Sequence, residues 1–308
     1  MLTHQFPDLE WLKRQANSSF ADRKSMTGQS LPVDGWPNVI MNARAQEVVR
    51  DNIRGPLSLF SNVTGRSTVT AGKKRVTVSP DVLFITNPGQ YYTLEIHEPR
   101  PAETANIHFG DEFSREALRA ITLSPSQLLE ESSTASIPNF FNRIVPAGPE
   151  YKYILNGLLT PGRTALQEEQ DLYQLLVLVS QDEEQLQKTQ DRVKATKSST
   201  KEEIMKRMLQ VTDYLYSQPE VNPDLEELAR ISCLSKFHFL RLFKIAFGQT
   251  PHQYITSIKV NRARTMLSTS NADVKAIATT LGYADASTFS RAFYRQLGLY
   301  PSQYRAQS

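Results

Sequence analysis

The last third of the chain contains an internal repeat of about fifty residues. Residues 225–229 recur at an offset of 49, whereas residues 239–243 and 248–254 both recur at an offset of 50. A repeat of this length indicates two copies of one supersecondary unit. The change in offset places one extra residue in the turn of the second copy, so we expect the copies to share their helices and to differ in that turn.

Each copy has the pattern of a helix, a tight turn and a second helix. In the second copy, residues 274–281 form a short amphipathic helix that Gly282 ends, because glycine suits the left-handed position after a helix. Asp285 is then placed to cap a helix over residues 286–297. This arrangement predicts a helix-turn-helix motif, in which the second helix enters a DNA major groove and the first braces it.

The first copy repeats these signals. Asp224 is placed to cap a helix that ends near Ile231, and Ser235 to cap the next helix. Between the copies, Pro251 begins a helix that we expect to continue to Ser268. Eighteen helical residues span about 27 Å, which suits two recognition helices held about one DNA turn, roughly 34 Å, apart.

Basic residues are concentrated near the end of the chain. Residues 1–200 contain 21 Lys and Arg against 23 Asp and Glu, whereas residues 236–305 contain ten against two. This asymmetry indicates a polyanionic partner, although a solvated basic surface has the same composition. On the connecting helix, Lys259, Arg262 and Arg264 are expected to meet DNA phosphates.

The region from about residue 204 to 308 resembles the DNA-binding domain of the AraC/XylS family of bacterial transcription regulators. The resemblance lies in residues 277–293 and in the Gly-x-x-Pro-x-x-Tyr pattern of residues 298–304. It implies a sequence-specific regulator, most often an activator, that reads two successive major-groove segments of promoter DNA. One departure is Cys233, which stands at the place of Gly282 in the second copy, where the family has glycine.

The same resemblance implies which residues contact DNA. In the first copy they are Lys236, Phe237, His238, Leu240, Arg241 and, on the same helix face, Lys244. In the second copy they are Ala286, Ser287, Thr288, Ser290 and Arg291. Arg241 and Arg291 suit guanine, and either Phe237 or Leu240 suits a thymine methyl group.

The first part of the chain is strand-like from about Asn38 to Ile96. Short runs of β-branched and aromatic residues are separated by turn residues. These runs are residues 38–41, 57–61, 67–70, 75–78 and 82–85. Strands of four to six residues at this spacing favour an antiparallel sandwich or a small barrel.

Amphipathic helices follow between about residues 148 and 187. Their apolar stripes either cover the barrel or pack against another subunit, and the sequence is compatible with both. Residues 75–89 resemble the cupin-type barrel of metabolite-sensing members of the family. In such members the barrel binds a small effector and the following helices form a dimer.

Together these patterns predict an α+β protein with two domains. A cupin-like sensing and dimerisation domain spans residues 1–190, a linker spans 191–203, and an all-α DNA-binding domain spans 204–308. The expected partners are double-stranded promoter DNA, RNA polymerase, an unidentified small-molecule effector and a second copy of the chain.

Several other classes of protein are disfavoured. The longest aliphatic run, residues 175–179, is far shorter than the roughly 20 residues of a membrane span. The first twenty residues lack a signal-peptide pattern, so we expect a cytoplasmic protein without membrane contact. The single cysteine, Cys233, excludes an internal disulfide.

Metal and enzyme functions are not predicted either. His97 and His108 stand eleven residues apart without a third histidine nearby, so we expect neither a metal nor another cofactor. Residues 1–190 contain no hydrolase or phosphate-loop motif, which argues against an enzyme. The alternative is a cupin-type metalloenzyme that a helix-turn-helix tail tethers to DNA.

Five aromatic residues either line an effector pocket or, as is more common in a barrel, form its core. They are Trp36, Phe60, Tyr91, Tyr92 and Tyr151.

Overall fold

The computed structural model describes residues 2–4, 36–124, 126–127, 139–192 and 198–307. The chain divides into two compact units, residues 1–186 and 187–308. The described strands all lie in the first unit, and the second unit is helical. The architecture is therefore the two-domain α+β organisation that the sequence predicts, with a sheet-rich part followed by a helical part.

The strands of the first unit form two sheets. They are β1 (Leu2–Thr3), β2 (Val39–Met41), β3 (Arg44–Arg54), β4 (Ser58–Phe60), β5 (Asn62–Thr64), β6 (Ser67–Ala71), β7 (Lys74–Val78), β8 (Val82–Thr86), β9 (Tyr91–Thr104), β10 (Asn106–His108) and β11 (Ile144–Pro146). One sheet has the order β1-β2-β10-β4-β8-β11, and the other has the order β3-β9-β6-β7, with β5 also paired to β9. Apart from the parallel pair β1 and β2, the described pairs are antiparallel. The described strands thus remain two open sheets and do not close into one barrel.

All five predicted strand runs contain a strand, but the two longest strands were not predicted. β3 has eleven residues and β9 has 14, more than the four to six expected. In β3 only Ile53 is buried, so the strand lacks an apolar face that would have marked it. In β9 the alternation of buried and exposed residues stops at Pro99 and Pro101.

Three helices of the first unit pack on the six-stranded sheet. They are α1 (Asp111–Thr122), α2 (Pro149–Leu158) and α3 (Ala165–Arg192). Leu172, Leu175 and Leu176 of α3 lie in one buried cluster with Leu59 of β4 and Ile107 of β10. The apolar stripes therefore cover the sheet of their own chain, which decides between the two alternatives that the sequence left open.

The second unit consists of seven helices in its described part. They are α4 (Ser198–Ser217), α5 (Leu225–Ile231), α6 (Lys236–Phe247), α7 (Pro251–Thr269), α8 (Val274–Thr280), α9 (Ala286–Leu297) and α10 (Pro301–Gln307). Four repeat-related phenylalanines are completely buried and form the core of the two motifs. They are Phe239, Phe243, Phe289 and Phe293.

The segment predicted as a linker, residues 191–203, is helical where the structure describes it. α3 continues to Arg192 and α4 begins at Ser198, while residues 193–197 lie outside the described residues. Searching the described residues for a helix that is both long and apolar enough to cross a membrane finds none.

Candidate nucleic-acid interface

The two helix-turn-helix turns begin in the same backbone conformation, and the second has one more residue before its cap. Cys233 has φ of 52° and Gly282 has φ of 71°, so both lie in the left-handed region. In each turn the next amide donates to an alanine carbonyl of the preceding helix, Ala229 or Ala278, at 3.0 Å. Cys233 therefore occupies the glycine position, as predicted, and carries the conformational strain that glycine avoids.

The recognition helices α6 and α9 begin at the predicted caps. The Asp285 carboxylate accepts from the Thr288 amide at 2.7 Å and from the Thr288 hydroxyl at 2.9 Å. These two bonds hold the pKa of Asp285 below its usual value. Ser235 accepts from the amide of His238 at 3.5 Å, so the first recognition helix has the weaker cap.

The outer face of α6 is basic with one large apolar residue. Phe237 is 87% exposed, and Arg241 and Lys244 follow it one and two turns later on the same face. Lys236 pairs with Glu226 of α5 at 2.8 Å, which raises the pKa of Lys236. Of the other predicted contact residues, His238 is exposed and Leu240 is half-buried.

The outer face of α9 has smaller polar residues. Ser287, Thr288 and Arg291 are exposed, whereas Ala286 and Ser290 are half-buried. The Arg291 guanidinium donates to the Thr288 hydroxyl oxygen at 3.4 Å. This face also includes Tyr294 at the position equivalent to Lys244, and its ring stacks on Tyr300 with centroids 4.6 Å apart.

The connecting helix α7 corrects one prediction. Lys259 was expected to meet phosphates but is only 2% exposed, and its Nζ donates to Asn222 Oδ1 at 2.6 Å. Burial lowers the pKa of Lys259 to about 8. Arg264 donates to the Tyr304 hydroxyl at 3.3 Å and lies over that ring. Lys259 therefore belongs to the interior of the domain. The sequence did not reveal this burial, because the contacts that cause it come from segments distant in the chain.

A small cavity lies between the two sheets of the first unit, with a volume of about 10 Å³, room for about one water molecule. It is lined by Met41, Arg50, Ile53, Phe60, Tyr92, Leu94, Asn106 and His108. Two of the five predicted pocket aromatics, Phe60 and Tyr92, thus face it. Tyr151 instead donates to Asp182 at 2.8 Å, and Tyr91 is exposed. The Trp36 amide donates to Asp111 at 2.8 Å.

His108 is a buried neutral histidine in this cavity. The Ser58 hydroxyl donates to the Pro56 carbonyl at 2.9 Å, so it accepts from His108 Nδ1, also at 2.9 Å. Burial lowers the pKa of His108 to about 4. His97 lies at the surface, within 4.0 Å of Glu47 and Glu95. In the described ranges, no three His, Cys, Asp or Glu residues are grouped so that they could hold a metal.

Comparison with known proteins matches the second unit. The helix-turn-helix domain family matches residues 228–307. The MmsAB operon regulatory protein of Pseudomonas aeruginosa is 37% identical over 92 residues, and a putative AraC-like transcription regulator of Streptomyces antibioticus is 33% identical over 92 residues. In both cases the match covers 30% of this chain and 30% of the relative.

Among solved structures, the DNA-binding domain of AdpA in complex with a target DNA is 29% identical to this chain. The match covers 33% of this chain and 91% of that one, with a TM-score of 0.32.

Proposed function

Because its C-terminal unit is a helix-turn-helix domain of the AraC type, we propose that this chain is a transcription regulator that reads two successive major-groove segments of promoter DNA. One observation carries the proposal. The two recognition helices present exposed faces at equivalent positions, with Arg241 and Arg291 related by the offset of 50. A duplicated motif with a duplicated exposed arginine fits two adjacent grooves of one duplex.

The first recognition helix supplies the stronger contacts. The Arg241 guanidinium suits the O6 and N7 acceptors of guanine, and Phe237 suits a thymine methyl group. The Phe237 ring is exposed in the free protein, so contact with the methyl group removes apolar surface from water and stabilises the complex. Lys244 is one turn further along and suits a phosphate.

The second recognition helix reads a different sequence. Arg291 again suits guanine, whereas Ser287 is small where the first helix has Phe237. Asp285 places a negative charge at the start of this helix, so a phosphate approaches the first helix more easily than the second. The remaining predicted residues, His238, Leu240, Ala286, Thr288 and Ser290, complete the two faces as contacts of base edges or sugars.

For the first unit we propose a cupin-like sensor, extending over about residues 1–190, that binds a small effector between its two sheets. Asn106 and His108 line the cavity from one sheet and Arg50 lines it from the other, which favours a ligand with hydrogen-bonding groups. Effector binding has to widen this space. A sensor requires such a coupling between ligand binding and a change in protein structure. We propose an activator in the bacterial cytoplasm that contacts RNA polymerase at its promoters.

We also propose that the chain acts as a homodimer. The apolar stripes of α2 and α3 are buried within the chain, so a dimer has to use another face of these helices. Three large apolar residues remain exposed on them, namely Tyr153, Leu166 and Tyr173. Sedimentation with and without substitution of Leu166 by Asp tests this proposal.

The proposed function is tested by selecting random duplex DNA with the purified full-length protein. We expect an enriched motif of two blocks separated by about one helical turn. Arg241→Ala and Arg291→Ala should each relax a different block and cost about 1–3 kcal/mol.

The matched control is Lys275→Ala, which removes an exposed charge from the bracing helix α8. Lys275→Ala should either leave DNA binding unchanged or weaken binding to every DNA sequence equally. A selection that enriches no motif, or an Arg291→Ala variant with unchanged selectivity, would contradict the proposal.

A further inference from the structure

The turns of the two motifs are braced by different parts of the domain. In the first motif, Arg207 of the preceding helix α4 donates to the Cys233 carbonyl at 3.3 Å. In the second, the Gly282 carbonyl accepts from Asn222 Nδ2 at 2.6 Å. Asn222 lies in the loop before α5, that is, at the start of the first motif. The equivalent carbonyl is thus held by the helix before the first motif in one case and by the loop at the start of the first motif in the other.

The Asn222 amide joins three segments of the domain. Its Oδ1 accepts from Lys259 Nζ of α7 at 2.6 Å while its Nδ2 donates to Gly282. The Lys259 ammonium also lies over the Tyr283 ring, 5.4 Å from its centroid. Both ends of the amide are therefore occupied, and its orientation is fixed by a donor on one side and an acceptor on the other.

The loop and the second turn are in close contact at the same place. A Cβ atom on Gly282 would lie 1.9 Å from the Glu220 carbonyl oxygen. The Glu220 carboxylate attracts Lys259, which offsets part of the penalty for burying that ammonium. Glycine is therefore required here for its size as well as for its positive φ, and the loop cannot move away without breaking the amide bridge.

We propose that Asn222 and Lys259 are positioning residues that set the spacing and relative orientation of the two recognition helices. The inference rests on the proposed function for its biological meaning, since the spacing matters only to a protein that reads two blocks of DNA. Both motifs pack on α7, the second through Val260, Ala263 and Leu267 and the first through Tyr254. The bridge from Asn222 to Lys259 and Gly282 adds a direct polar link between the start of the first motif and the turn of the second.

The spacing can be measured without DNA. Spin labels on Arg230→Cys and Thr279→Cys, which are equivalent exposed positions on α5 and α8, report the distance between the motifs. The full-length chain with Cys233→Gly provides a background free of other cysteines. We expect a narrow distance distribution in this background and a broader or displaced one when Asn222→Ala is added.

Two further variants keep the test decisive. Asn222→Asp retains an acceptor for Lys259 but loses the donor to Gly282, so it should also broaden the distribution. Asn271→Ala is the matched control, because Asn271 is exposed and precedes the cap Asp273 as Asn222 precedes Asp224. The proposal is overturned if the Asn222 variants keep the narrow distribution, or if Asn271→Ala broadens it equally.

The consequence for DNA is measured with the two-block site obtained by selection. Inserting one base pair between the blocks should weaken binding by the parent protein, and Asn222→Ala should reduce that penalty about 3- to 10-fold, the value of one or two hydrogen bonds. An unchanged penalty would count against the positioning role. If the parent protein selects no site, the proposed function fails while the distance measurement still decides the inference.

Discussion

Replacing Cys233 by glycine should stabilise the second unit. Cys233 has φ of 52° and makes the same backbone hydrogen bonds as Gly282 in the equivalent turn. A residue with a Cβ atom pays about 1–2 kcal/mol in the left-handed region. Glycine avoids that strain but loses about 0.5–1 kcal/mol more backbone entropy on folding. Because the Cys233 side chain is exposed, no packing is lost with it.

The net gain for Cys233→Gly is therefore about 0.5–1 kcal/mol. For a unit of this size it corresponds to a rise in melting temperature of roughly 2–4 °C. Urea denaturation followed by far-ultraviolet circular dichroism measures it. Trp36 lies in the first unit and Trp11 precedes it in the chain, so tryptophan fluorescence serves as an internal reference that should not change.

The matched substitution in the second turn should have the opposite effect. Gly282→Ala introduces the same strain and adds a Cβ atom 1.9 Å from the Glu220 carbonyl, so it should destabilise by more than about 2 kcal/mol. An unchanged or reduced stability of Cys233→Gly would refute the reasoning, because it would mean that the first turn does not hold residue 233 in the left-handed conformation.

Three further predictions follow from the structure. Phe237→Ala should leave stability unchanged, since the ring is exposed, but should weaken specific binding by about 1 kcal/mol; replacing the contacted thymine by uracil should then affect only the parent protein, as fluorescence anisotropy can show. The pKa of His108 is about 6.5 in the unfolded chain and about 4 in the folded one, so the unfolding free energy should fall by about 3 kcal/mol as the pH is lowered through this range. Denaturation followed by tryptophan fluorescence should show that His108→Gln lacks this loss. Asp285→Ala should lower the unfolding free energy more than Ser235→Ala does, because Asp285 makes two cap hydrogen bonds and Ser235 a single long one; equal effects in urea denaturation would contradict this.

The helix-turn-helix motifs could be predicted because their signals are local. Caps, turn glycines and buried phenylalanines all act within one motif of about twenty residues. The repeat strengthened the prediction, because the same signals occur at equivalent positions in both copies. The exposed positions of Phe237 and Arg241 then followed from helical periodicity alone. Whether these residues contact DNA remains a prediction, since it depends on a partner that periodicity does not describe.

The missed features depend on contacts between distant segments. Lys259 resembles a surface lysine in sequence, and its burial arises from Asn222, 37 residues earlier, and from Tyr283. β3 is a sheet edge with polar residues on both faces, so no alternation marks it as a strand. Its pairing with β9 joins residues that are more than 35 positions apart, such as Arg54 and Tyr91. Sequence patterns indicate the local conformation and burial that a residue favours. Pairings between distant strands depend instead on the rest of the fold.

The unequal faces of α6 and α9 have a consequence for how such a protein can sit on a promoter. A protein with two identical motifs related by a two-fold axis would bind equally well in either direction along the duplex. Here one helix presents Phe237 and Lys244 where the other presents Ser287 and Tyr294. Under the proposed function, the combined site of one chain is therefore asymmetric and sets the direction in which the protein binds. Such polarity lets one chain distinguish the upstream from the downstream side of its site without help from a symmetric partner.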